Sequence, residues 1–185
     1  MSCQQIAIEA ESACLLVVDI QGKLAEIMHN RETLFANVIR MLQGAELLNV
    51  PVLVSEQNPE KLGPTREEFA PYLPGTPVFS KMAFSCAGSD EIVHALRETG
   101  RKQVFIVGIE THICVWQTVR DLLNLGFAPV LIADAVGSRT AANMEIGIRR
   151  CEAAGAVVAS TEMVLMEMLV TAEADGFREM LKIIR

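Results

Sequence analysis

The sequence predicts a doubly wound α/β fold, with one mostly parallel sheet covered by helices on both faces. Three observations carry that expectation. Short apolar runs such as Cys14–Val18, Gln103–Val107 and Phe127–Ala133 show no polar alternation, as expected of strands buried on both sides. Segments with helical spacing separate them, and that order favours parallel pairing. Hydrophobic residues make up 51% of the 185 residues and charged residues 21%, enough apolar material for one full core. The chain, 1–185, is therefore read as a single domain.

The elements follow in order. Cys14–Val18 is a strand running into the loop Asp19-Ile20-Gln21-Gly22. Leu34, Val38, Met41, Leu42, Ala45 and Leu48 recur at three- and four-residue steps, so 31–49 is an amphipathic helix. Pro51 precedes a second short strand, Val52–Val54, and Ser55–Pro77 holds five prolines and two glycines. A loop of that length in a compact domain is commonly functional. Val78–Ser80 is short, either a strand or an extended edge carrying Lys81, and Ser89 caps a helix reaching Thr99, with Asp90 and Glu91 in its first turn. Strand Gln103–Val107 leads through Gly108–Val115 into a helix, Trp116–Leu125, stopped by Gly126. Strand Phe127–Ala133 ends in the loop Asp134–Arg139, followed by a helix over 140–154 and a last strand, Ala156–Ala159. Ser160 caps a helix, Thr161–Val170, that is apolar on nearly every side and therefore either deeply buried or in a subunit interface. Ala174, Phe177, Leu181 and Ile184 give a final helix one apolar stripe.

Composition also excludes partners. A formal net charge of -7 with no basic cluster argues against nucleic acid or anionic lipid. Cys3, Cys14, Cys86, Cys114 and Cys151 are odd in number, scattered and without a CxxC pair, which fits a reducing compartment. No run approaches the roughly 18 apolar residues of a membrane span, and Met1–Ile6 lacks the character of a signal peptide. The cytoplasm is the expected location.

Chemistry concentrates at strand ends. Cys114 stands where a strand hands over to a helix, a place where unpaired N–H groups and the helix dipole favour a thiolate and an adjacent oxyanion. A lone cysteine is more often packing, but Asp19 and Lys81 end two other candidate strands and can converge on it. Asp19 would take the thiol proton as general base and return it as acid. Lys81 would hold Asp19 ionised, and Cys114 would attack a carbonyl or imine carbon. N–H groups near Glu110 and Cys114 would receive the oxyanion. Gln21, Gln57 and Trp116 are candidates to line the substrate pocket. His112 reads as packing or rim and His29 and His94 as solvated, while Asp134 and Arg139 read as loop-fixing through a salt bridge. The histidines and cysteines lack zinc spacing.

Leu15-Leu-Val-Val-Asp19-Ile-Gln21, Phe79-Ser-Lys81, Gly108–Thr118 and Asp134–Arg139, in this order, make the chain resemble the isochorismatase-like cysteine hydrolases, relatives of nicotinamidase and N-carbamoylsarcosine amidase. The resemblance implies a three-layer, Rossmann-like fold with a six-stranded parallel sheet and an Asp19–Lys81–Cys114 triad. It further implies an oxyanion hole of the Glu110 and Cys114 N–H groups, a cis peptide between Ile109 and Glu110, and a homo-oligomer. Nicotinamidases carry an Asp-x-His metal pair after the second strand; Ser55-Glu-Gln-Asn-Pro59 has neither residue, so no metal and no organic cofactor is expected. Retention of Cys114 favours cleavage of an amide-type C–N bond in a small molecule over vinyl-ether hydrolysis. The rival reading is a binding protein, or a thiol redox sensor with Cys86 as resolving thiol.

Overall fold

The computed structural model describes residues 7–185. Cys3 and the Met1–Ile6 stretch read for a leader lie outside them. Six strands form one all-parallel sheet in the order β3-β2-β1-β4-β5-β6. They are β1 (Ala13–Val18), β2 (Val52–Gln57), β3 (Val78–Lys81), β4 (Gln103–Ile109), β5 (Ala128–Gly137) and β6 (Val157–Ala159). The helices are α1 (Gly22–Glu26), α2 (Arg31–Leu47), α3 (Pro59–Leu62), α4 (Asp90–Glu98), α5 (Trp116–Asn124), α6 (Ala141–Ala154), α7 (Thr161–Leu169) and α8 (Phe177–Ile184).

Period-two alternation sorts every central strand between two apolar layers. Leu15 and Val17 of β1, with Phe105, Val107 and Ile109 of β4, meet α2, α7 and α8 through Val38, Leu42, Leu165 and Met180. Cys14, Leu16 and Val18, with Val104 and Ile106, face α4, α5 and α6 through Ile92, Leu96, Val119, Leu122 and Cys151. All six residues of β1 are buried, which is why no polar alternation marks it. Helix α7 resolves its own ambiguity: Val164, Leu165, Met168 and Leu169 are core, and Met163 lies on the exposed side.

Three boundaries move. Strand β5 continues through Asp134 to Gly137, past the expected loop, because the parallel ladder resumes at Gly108–Val136 and Ile109–Gly137 after a register shift. Strand β2 runs on to Gln57, and the Ser55–Pro77 segment contains α3 and a 3-10 helix over Glu67–Tyr72 rather than irregular chain alone. Ser89 precedes α4 but its side chain makes no capping hydrogen bond, whereas Ser160 accepts from the Met163 N–H.

Two predictions arise from the packing. Val170 ends α7 with φ +70° and ψ −49°, although it is β-branched and 84% exposed. A β-branched residue resists that region and glycine does not. Val170→Gly should raise unfolding free energy by about 1 kcal/mol in urea denaturation; a loss would contradict this. Burial pushes the thiols of Cys14 and Cys151 up to about 12 and that of Cys86 up to about 11. Because these values lie above the ordinary 9.0, the stabilisation is complete below pH 9.0 and is lost as pH rises towards 12. Each unit is worth about 1.4 kcal/mol, so the urea midpoint should fall sharply between about pH 9 and about pH 12. Replacing Cys151 with alanine should flatten that fall.

Candidate active site

The strand order reverses direction between β1 and β4, and the crevice at such a switch point is where open α/β sheets hold ligands. Asp19 follows β1 there, and Glu110 follows β4. Their approach depends on Gly108, which has φ +134° and pairs with Val18. A methyl group on Gly108 would lie 2.2 Å from the Val18 carbonyl oxygen, so no larger residue fits.

Asp19, Lys81 and Cys114 converge. Lys81 Nζ donates to Asp19 Oδ2 at 2.7 Å, with the two side chains 1% and 3% exposed. Lys81 also donates to the carbonyls of Ala83 (3.3 Å) and Phe84 (3.0 Å) and to Gln57 Oε1 (3.3 Å). A buried ammonium and carboxylate satisfied in this way remain an ion pair. Asp19 itself adopts φ +53°, a left-handed turn that ends the strand. Cys114 is buried beside this pair, where the Asp19 charge acts on its thiol.

That environment opposes the thiolate that the helix start favours. Burial, first, and the neighbouring Asp19 charge push the Cys114 thiol well above its ordinary value; Lys81 pulls the other way without prevailing. The helix dipole loses to desolvation here. Cys114 therefore rests as a thiol.

The turn that carries Cys114 is one wide coil, Thr111–Val115, in which the Val115 N–H reaches back to the Glu110 carbonyl at 3.4 Å. It continues directly into α5. The expected cis peptide between Ile109 and Glu110 is absent: the described residues contain no cis bond. Glu110 turns the chain by adopting φ +56° and ψ +57° instead. The Glu110 carboxylate is clamped by Arg139, which donates from Nε and Nη2 at 3.2 Å each. Arg139 thus fixes a loop as expected, though through Glu110 and not Asp134; Asp134 accepts from the N–H and hydroxyl of Thr161 at 2.8 and 2.9 Å. His112 shares a hydrogen bond with Ser138 (3.0 Å) and sits at the rim. Helix α6 presses on the turn at Gly147, where a methyl group would stand 2.8 Å from the Thr111 carbonyl carbon.

The three residues expected to line the pocket behave differently. Gln21 is fully buried and spends its amide on the backbone, donating to the carbonyls of Gln57 (3.2 Å) and Gly63 (2.7 Å) and accepting from the Gln57 N–H (2.7 Å). It clasps a loop, which corrects its expected substrate role. Gln57 touches Lys81 and donates to the Met82 carbonyl at 3.0 Å. Trp116 opens α5, half-buried, with the Arg150 guanidinium 4.2 Å from its ring centroid. A cavity of about 500 Å³ lies between Asn58–Lys61 and Ser80–Met82 and meets the triad only through Lys81. Sequence reading missed Ser55, whose hydroxyl donates to Asp19 Oδ1 at 2.7 Å. A lone serine after a strand gives no signal of that contact. Among the described residues no group of three or more His, Cys, Asp or Glu could hold a metal.

An isochorismatase domain model matches residues 13–163. The secreted isochorismatase effector Isc1 of Phytophthora sojae is 34% identical over 178 residues, 94% of this chain and 85% of that protein. The MAR1 ribonuclease structure from Caenorhabditis elegans superposes with a TM-score of 0.91 at 30% identity, over 97% of this chain and 92% of that one. The YcaC gene product of Escherichia coli, described as an octameric hydrolase of unknown specificity, has the same fold, with a TM-score of 0.92 at 21% identity over 98% of this chain and 92% of that one. The chain belongs to the isochorismatase family.

Proposed function

We propose that the protein is a cysteine hydrolase that cleaves an amide-type C–N bond of a small molecule. The observation that carries this reading is the buried Lys81–Asp19 ion pair with the buried Cys114 thiol beside it. Cys114 Sγ forms a bond to the substrate carbonyl carbon while its proton passes to Asp19. The carbonyl electron pair becomes an oxyanion, received by the Glu110 and Cys114 N–H groups. Collapse breaks the C–N bond, and Asp19 protonates the departing amine. Water then adds to the thioester with Asp19 again taking a proton; the C–S bond breaks and the thiol is restored. Gln57 and Trp116 border the substrate, and neither metal nor organic cofactor takes part.

The buried, unpaired Cys14, Cys86, Cys114 and Cys151 suit a reducing cytoplasm, and no helix among the described residues is long and apolar enough to cross a membrane. The octameric state described for YcaC supports a homo-oligomer here. The test is release of amine or ammonia from a panel of small amides and ureas. At least one compound should be turned over by the wild type and not by Cys114→Ser. Turnover retained in Cys114→Ser would contradict the proposal. The name of the C. elegans structure favours RNA cleavage as a second reading, which the net charge of -7 opposes. Degradation of a single-stranded RNA that disappears in Asp19→Ala would decide for it.

A further inference from the structure

Lys81 fixes only one oxygen of Asp19. Its ammonium shares three protons among Asp19 Oδ2, Gln57 Oε1 and two carbonyls. The other oxygen, Oδ1, is held by the fully buried Ser55 hydroxyl at an equal 2.7 Å. Behind Ser55 stands Cys86, also fully buried, whose Sγ–H donates to Ser55 Oγ at 3.3 Å. The Cys86 N–H in turn donates to Thr118 Oγ1 at 2.9 Å, on the helix that follows the nucleophile.

We infer that Cys86 and Ser55 form a buried hydrogen-bond relay that orients the Asp19 carboxylate, with Ser55 as the positioning residue for proton transfer from Cys114. The inference rests on the reading of Asp19 as the base. A carboxylate held at one oxygen can rotate about Cβ–Cγ; held at both, it presents a fixed remaining lone pair to the thiol. The relay has one direction. Ser55 has a single proton and Asp19 Oδ1 is the acceptor within reach, while Cys86 occupies a Ser55 lone pair as donor. Burial, then the Asp19 charge, keep Cys86 protonated, so it remains a donor through the neutral range. The titratable groups facing Asp19 are thus Lys81 from β3, Cys86 from the segment before α4, and Cys114. Cys86 is the end of a relay and not a second nucleophile.

The test is the pH profile of Cys114 alkylation by iodoacetamide, followed by peptide mass spectrometry in the whole protein. Wild type and Asp19→Asn come first. If alkylation of Cys114 does not depend on Asp19, the base assignment falls and the relay with it. Given that dependence, Ser55→Ala should slow alkylation about tenfold at neutral pH, because a carboxylate free to rotate meets the thiol in the right geometry less often. Its rate should also begin to fall at a higher pH on the acid side, because a carboxylate deprived of a donor is protonated more readily. Ser55→Thr, which keeps the hydroxyl, should recover the wild-type profile. Cys86→Ala should shift the profile in the same direction by less, and Cys86→Ser should not. A Ser55→Ala profile superimposable on wild type overturns the relay. If that variant does not fold, an unchanged Cys86→Ala profile overturns it equally.

Discussion

Lys81→Met should abolish turnover and cost roughly 3–5 kcal/mol of stability, the range for a buried ion pair deprived of one partner. Its Nζ is 2.7 Å from Asp19 Oδ2, and neither side chain meets solvent appreciably. Removing the ammonium strands a carboxylate in the core beside Ser55, Cys86 and Cys114. The double variant Asp19→Asn with Lys81→Met removes both charges and should regain most of that stability in urea denaturation. It should remain inactive, since no base is left to take the Cys114 proton. Recovery of stability without activity separates the structural role of the pair from its chemical one. A single variant as stable as wild type would show that the pair is not the buried one described.

Gly108→Ala should be among the most damaging single methyl groups in the protein. The added carbon would meet the Val18 carbonyl oxygen at 2.2 Å, and φ +134° is strained for any residue with a side chain. Relief requires β1 and β4, the two central strands, to part at the point where Asp19 and Glu110 emerge. A loss on the order of 4 kcal/mol is expected, read as a lowered urea midpoint. Protein that still folds should alkylate Cys114 much more slowly. A variant with wild-type stability and reactivity would contradict the close approach.

What was legible in the sequence follows from what burial does to a strand. Runs such as Leu15–Val18 and Val104–Val107 are apolar on both faces and announce a parallel sheet, which brings Asp19 and Cys114 to one edge, whereas the short, mostly exposed β3 that carries Lys81 reads ambiguously. Strand β5 was cut short because Asp134 reads as a loop residue; in the fold its carboxylate is satisfied by Thr161 inside the sheet's edge layer. Gln21 was misjudged for a related reason. Sequence shows that an amide is present, not that the backbone of Gln57 and Gly63 consumes it. The state of Cys114 depends on competition between desolvation and nearby charge, and only packing decides that. The Ile109–Glu110 turn could be built from a left-handed residue as well as from a cis bond, and the chain uses the former.

The most direct test is intact-protein mass spectrometry of wild type and Asp19→Ala after rapid mixing with a panel of small amides, ureas and esters. A transient acyl mass on the wild type, mapped to Cys114 and missing from Asp19→Ala, is the predicted result. An acyl mass on another residue, or one formed equally well by Asp19→Ala, would contradict the nucleophile and base assigned here.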